Sequence, residues 1–178
     1  SGSFESIEHQ IRAAKLYDVD TIVRVARGSY SDYVRALEAD ATALMVPHVM
    51  SADDARNVRD MTKFAPLGKR ALDGGNNDAM YTRVGLADYL ATANRERFAL
   101  YQIEDPSAMD HLEAIAEMDG VDLIVNATSL GMKDGDARLV PASALLARHL
   151  VFDMVYRADG ETSLLADARA AGSRVVDG

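Results

Sequence analysis

Phe98-Ala-Leu-Tyr-Gln-Ile-Glu104 and Val121-Asp-Leu-Ile-Val-Asn-Ala-Thr128 are two apolar runs, each ending in polar residues, with a helical pattern at about 107–118 between them. Strand, helix, strand reads as a parallel βαβ unit. In such sheets ligands bind in the crevice beyond the carboxyl ends of the strands. Glu104 and Asn126 are therefore expected near one another if their strands are neighbours.

Toward the N-terminus the pattern repeats. Phe4–Tyr17 has helical spacing, Thr21-Ile-Val-Arg-Val25 is β-branched, Ser29 or Ser31 opens a helix through Ala39, and Thr42–Pro47 is the next strand. Arg24, one residue before its strand's end, is either a functional charge or a side chain reaching solvent; His48 reads as a rim residue. Ser51-Ala-Asp-Asp54 caps a helix to about Lys63, which suits the helix dipole. Residues 64–83 lack periodicity and read as a long binding loop or insertion. Leu86–Arg97 is helical.

Toward the C-terminus, 131–140 is a polar loop and Pro141 is placed to open a helix at about 142–148. Leu150–Tyr156 is a strand, Glu161–Ala171 a helix closed by Gly172, and Arg174–Asp177 a last strand. Six strands are too few for an eight-stranded (β/α) barrel. The expectation is one α/β domain over 1–178 with an open, doubly wound, mainly parallel six-stranded sheet in the Rossmann-like order 3-2-1-4-5-6. A partial barrel completed by dimerisation is the alternative.

With 48% hydrophobic and 26% charged residues and no Cys, the chain is expected to be held by packing rather than by disulfides or a cysteine metal site. Its 19 basic and 28 acidic residues give a net charge of −9, which disfavours nucleic acid and anionic membranes as partners. No apolar run approaches the ~20 residues of a membrane span. A cytoplasmic location and a homodimer are the remaining expectations. Ser1-Gly2-Ser3 reads as tag or linker residues.

Two resemblances add to this reading. Ser3-Phe-Glu-Ser-Ile-Glu8, Ile22-Val-Arg-Val25, Leu44-Met-Val-Pro47, Gly68-Lys-Arg70, Asp73-Gly-Gly-Asn76 and Gln102-Ile-Glu-Asp-Pro106 resemble the HpcH/HpaI (citrate-lyase-like) class II aldolases, metal-dependent (β/α) barrels. Asn126-Ala-Thr-Ser-Leu-Gly-Met132, Asp153-Met-Val-Tyr156, Thr162-Ser-Leu-Leu165 and Val176-Asp-Gly178 resemble the C-terminal part of the shikimate dehydrogenase Rossmann domain. The seam falls near Gly120–Asp122. The resulting expectation is a man-made chimera, aldolase-derived over about 4–120 and dehydrogenase-derived over about 121–178.

The first resemblance implies that Glu104 binds a divalent metal, that Gln102 lines a pyruvate pocket and that Arg24 stabilises an enolate oxygen. A hard cation takes oxygen ligands and acts as a Lewis acid, while Arg offers a planar donor fork. It also implies a second metal carboxylate at the end of the next strand, where this sequence has Asn126-Ala-Thr-Ser129 and no acid before Asp134, and a proton-transferring His ahead of Ser3. The second resemblance implies NADP contacts through Asn126, Thr128, Ser129, Gly131 and Met132, but Gly74-Gly75 does not follow a strand directly and is no dinucleotide fingerprint. A bland role for Asn126, Thr128 and Ser129 is capping of their turn. The expectation is therefore a scaffold without native catalysis, no required cofactor and weak Mg or Mn binding at Glu104. The alternative is a metal-dependent pyruvate aldolase of reduced activity, or weak NADP binding.

Overall fold

The computed structural model describes residues 3–158 and 160–177. Ser1 and Gly2 of the expected leader, and Gly178 of the last motif, lie outside the described residues. Residues up to Ala108 form one compact unit and those from Met109 a second.

The first unit runs α1 (Phe4–Leu16), β1 (Ile22–Arg24), α2 (Tyr30–Glu38), β2 (Ala43–Val46), α3 (Ala52–Thr62), α4 (Leu86–Glu96) and β3 (Phe98–Tyr101). Its strands are parallel in the order β1-β2-β3, with Arg24 opposite Met45 and Val46 opposite Tyr101. β2 is the central strand, and Ala43, Leu44 and Val46 are buried accordingly. Helix α2 buries Tyr33, Val34, Ala36 and Leu37, one continuous stripe at helical spacing. The N-termini follow the sequence: Ser51 Oγ accepts from the Asp54 amide, and both the amide and hydroxyl of Ser29 donate to Asp32. Those bonds hold the Asp32 carboxyl below the usual range, the backbone one first.

The 64–83 segment is ordered by contacts of its own. Phe64 packs edge-on against Tyr89, with Ala79 and Ala93 completing the cluster. Arg70 and Asp78 form an ion pair 2.7 Å long whose side chains are each 1% exposed. The Tyr89 hydroxyl donates to the same Asp78 oxygen at 2.8 Å, and burial drives its pKa upward. Lys63 follows α3, and its Nζ donates to the carbonyls of Asn94 and Arg97 at 2.6 and 2.5 Å, at the C-terminal end of α4.

The second unit runs α5 (Leu112–Ala116), β4 (Leu123–Asn126), β5 (Leu150–Asp153), α6 (Ser163–Ala170) and β6 (Arg174–Asp177), with parallel order β4-β5-β6. Val151, Leu164, Leu165, Ala168 and Leu145 make its core. Gly172 takes φ +80 after α6, as a left-handed helix stop requires.

Several expectations are corrected. Hydrogen bonding makes two three-stranded sheets rather than one six-stranded sheet in the order 3-2-1-4-5-6. Strands of three or four residues joined by local crossovers keep consecutive strands adjacent within each set of three. The helix expected at 107–118 is a 3₁₀ stretch, Pro106–His111, followed by the short α5. Pro141 opens only a 3₁₀ turn, Ala142–Ala144, because Leu145 returns to extended backbone. No helix among the described residues is long and apolar enough to cross a membrane.

Candidate functional site

Parallel strands deliver their last residues to one edge, and in the first unit that edge gathers charged side chains. Arg24 ends β1, and Gln102, Glu104 and Asp105 follow β3. The pairing continues past the strands, with the Gln102 amide donating to Val46 O at 2.9 Å and the Val49 amide to Gln102 O at 3.2 Å. Gln102 is thereby fixed against the end of β2. Arg24 Nε donates to Gln102 Oε1 at 2.9 Å, and Arg24 Nη2 lies 3.9 Å from Glu104 Oε1. The three residues selected by the aldolase resemblance therefore meet, within one unit.

His48 joins them at the rim of the sheet, where its amide and its ring both find partners. Its backbone takes φ +51, its amide donates to Glu104 Oε1 at 3.2 Å, and its Nδ1 lies 2.9 Å from Asp105 Oδ2 and 3.5 Å from Glu104 Oε1. The signal available in the sequence was its place two residues beyond β2, between strands ending in Arg24 and Glu104. Arg24 and His48 side chains are each 57% exposed and Glu104 36%. Ion pairs so exposed contribute about 0–1 kcal/mol to stability, so the cluster is not explained by folding energy.

Among the described residues no group of three or more His, Asp or Glu is arranged to hold a metal ion. Glu104, partly exposed at this edge, offers a divalent ion one carboxylate, with water or substrate oxygens to complete the shell. A cleft of about 130 Å³ in the same unit is lined by other residues, among them Glu38, Asn76 and Tyr81.

The second unit accounts for the Asn126 motif by backbone capping. Asn126 Oδ1 accepts from the Thr128 amide and hydroxyl at 3.0 and 2.8 Å, and Asn126 Nδ2 donates to Leu130 O and Asp153 Oδ1 at 3.0 and 2.9 Å. Asp153 is fully buried and also accepts from the Val155 amide at 3.0 Å and the Thr162 hydroxyl at 2.6 Å. Ser129 offers its carbonyl to the Met132 amide, the Gly131 amide donates to Asp136, and the Met132 side chain is exposed. A satisfied network of this kind fixes a strand-to-loop turn without any ligand.

The Arg, Gln and Glu gather at the strand ends of a parallel α/β unit, the edge where such sheets bind ligands. The HpcH/HpaI aldolase/citrate lyase family matches residues 3–177, and the chain belongs to that family. It is 34% identical over 121 residues to the 2-keto-3-deoxy-L-rhamnonate aldolase of Klebsiella pneumoniae subsp. pneumoniae, covering 67% of this chain and 45% of that protein. To the like-named protein of Salmonella gallinarum it is 30% identical over 179 residues, covering 97% of this chain and 62% of the relative. The chain thus spans between 45% and 62% of the length of these curated relatives.

Among solved structures, the HpcH/HpaI aldolase from Desulfitobacterium hafniense DCB-2 superposes with TM-score 0.67 at 21% identity, covering 99% of this chain and 72% of that one. A HpcH/HpaI aldolase/citrate lyase family protein from Burkholderia cenocepacia J2315 gives TM-score 0.63 at 26% identity, covering 98% and 73%. The family match extends across Gly120–Asp122 to residue 177. This overturns the reading of an engineered chimera without native function, to which the Asn126–Met132 pattern contributed. A turn-capping pattern recurs wherever a strand must end in the same way, so it marks a local conformation and not a parent.

Proposed function

We propose that this chain belongs to a metal-dependent aldolase that cleaves a 2-keto-3-deoxy sugar acid to pyruvate and an aldehyde. The observation that carries the reading is the convergence of Arg24, Gln102 and Glu104 at one sheet edge, with Arg24 Nε held on Gln102 Oε1 at 2.9 Å. The names of the relatives supply the substrate class. The likeness to solved family structures supports the alternative, a partial TIM-like barrel, over the expected open doubly wound sheet.

In such a substrate the C4 hydroxyl gives up its proton to solvent and becomes the aldehyde carbonyl as the C3–C4 bond breaks; that bond's electron pair passes into the enolate of pyruvate, which then takes a proton at C3. Gln102, by accepting from Nε, orients the Arg24 fork so that its Nη groups face the developing oxyanion. Charge placed ahead of time where it is needed lowers the barrier with no reorganisation at the moment of reaction. Glu104, aided by the His48 amide on its Oε1, would hold the divalent ion. When bound, that ion supplies Lewis-acid polarisation of the keto group.

The test is exchange of pyruvate methyl protons with D₂O, followed by proton NMR with Mg²⁺ present, alongside cleavage of 2-keto-3-deoxy-L-rhamnonate. Exchange is expected above the buffer rate, and Arg24→Ala should lower it by about 10²–10³, the size of effect seen when one oxyanion donor is removed. Wild-type exchange at the buffer rate, or an Arg24→Ala variant as fast as wild type, defeats the proposal.

A further inference from the structure

The cleft on the helical layer is built from α1, the C-terminal half of α2 and residues 76–81, and neither Arg24 nor Gln102 is among its walls. Two of its lining residues come from one helix. Arg35 and Glu38 stand three apart on α2, the spacing at which opposite charges pair across a helix surface. They do not pair. The Arg35 guanidinium lies instead over the Phe4 ring, 3.9 Å from its centre. Among the described residues neither side chain makes a hydrogen bond or an ion pair.

Glu38 is the last residue of α2, where the helix dipole works against a carboxylate. It is half-buried, and burial raises its pKa. Its position and its lack of a partner therefore both weigh against the fold. Asn76, in the facing wall, adds a side-chain nitrogen that is buried without an acceptor. Met80, Tyr81 and Thr82 all take left-handed backbone, with φ +49, +53 and +66, a costly run for residues with side chains, and Tyr81 within it lines the cleft. Strain of this kind gathers at ligand clamps.

We propose that this cleft binds the zwitterion of a small α-amino acid, with Glu38 taking the ammonium and Arg35 the carboxylate. An ammonium beside Glu38 offsets both its charge and the negative end of α2, while the planar fork of Arg35 matches a carboxylate. A volume of about 130 Å³ suits glycine, alanine or serine rather than an aromatic amino acid. The cleft shares no residue with the aldolase reading, so each is tested without the other.

Titration of L-serine into the nitrogen-15-labelled whole chain, followed by proton–nitrogen correlation spectra, tests this. Ethanolamine, which lacks the carboxylate, and glycerate, which lacks the ammonium, are the single-charge analogues. Serine should give saturable shifts at the amides of Glu38, Asn76 and Asn77 with a Kd of about millimolar. Each analogue should bind there at least about tenfold more weakly, the loss of one charge-assisted contact. Glu38→Gln and Arg35→Gln should each weaken serine about tenfold as well. Arg24→Ala removes the strand-end cation and should leave serine binding within about twofold. No shift at concentrations well above millimolar overturns the proposal. So does ethanolamine or glycerate binding as tightly as serine, or loss of serine binding in Arg24→Ala, which would put the amino acid at the strand ends. The ligand series needs only the wild-type chain, so a variant that misfolds leaves the test intact.

Discussion

Asp78→Ala isolates the interaction that orders the loop after α3. The side chains of Arg70 and Asp78 are each 1% exposed and bonded at 2.7 Å. The Arg70 guanidinium also sits 4.6 Å from the centre of the Phe64 ring. Removing the carboxylate leaves a buried guanidinium without its counter-charge and takes the acceptor from the Tyr89 hydroxyl. Breaking a buried pair from one side costs about 3–5 kcal/mol, and the orphaned hydroxyl adds about 1. Against a domain stability of about 5–15 kcal/mol this is a large loss. Yet Arg70 Nε and Nη1 and Asp78 Oδ1 have no protein hydrogen-bond partner, so the pair itself is incompletely compensated. The double variant Arg70→Met with Asp78→Leu should recover to within about 2 kcal/mol of wild type. Urea unfolding by circular dichroism reads both quantities, provided the m-values agree. An Asp78→Ala cost below about 1 kcal/mol, or a double variant no more stable than the single one, refutes the reasoning.

Three further outcomes follow from the packing. A Cβ at Gly68 would lie 2.3 Å from Lys63 O and 2.7 Å from Arg59 O, both backbone atoms that cannot swing away. Gly68→Ala is therefore expected to cost at least about 2 kcal/mol, measured by urea unfolding, and a neutral result removes the close approach as the reason for glycine there. Asp153→Ala withdraws the acceptor from Asn126, Val155 and Thr162 at a fully buried point, so a loss of about 3–5 kcal/mol and faster amide exchange from 126 to 131 are expected. His149 is fully buried, with Nδ1 accepting from the Leu146 amide and Nε2 donating to Ala116 O. Burial first, and the Arg148 charge second, lower its pKa from 6.5. The unfolded chain then binds the extra proton more readily. The stabilisation from neutral His149 is thus complete above about pH 6.5 and is lost as pH falls through the lower folded value. His149→Gln should flatten that part of the stability–pH curve; an unchanged slope sinks the assignment.

Much of the fold could be read from residue patterns because its signals are local. Apolar runs marked all six strands, and Ser29 and Ser51 stand at helix N-termini as capping chemistry requires. The C-terminal breakdown at 106–118 and 141–148 was not legible. Helical spacing there is satisfied as well by two 3₁₀ stretches and one short α-helix, which bury Ala108, Leu112, Ile115, Ala116 and Ala144. Strand order beyond nearest neighbours was not legible either, since hydrophobic alternation says that a strand is buried and not which strand lies beside it.

The sequence by itself determined the parallel α/β character and the positions of most helices and strands, and its likeness to aldolases singled out Arg24, Gln102 and Glu104 as candidates for one site. Those properties reside in neighbouring residues or short motifs. Only the tertiary structure decided that His48 and Asp105 belong with Glu104, that Lys63 caps a helix not its own, that Arg70 and Asp78 pair in the interior, and that the Asn126 motif is consumed by Asp153. Each of these depends on which strand ends share an edge or which loop folds over which core, and that is set by hydrogen-bond register and packing between segments distant in the chain.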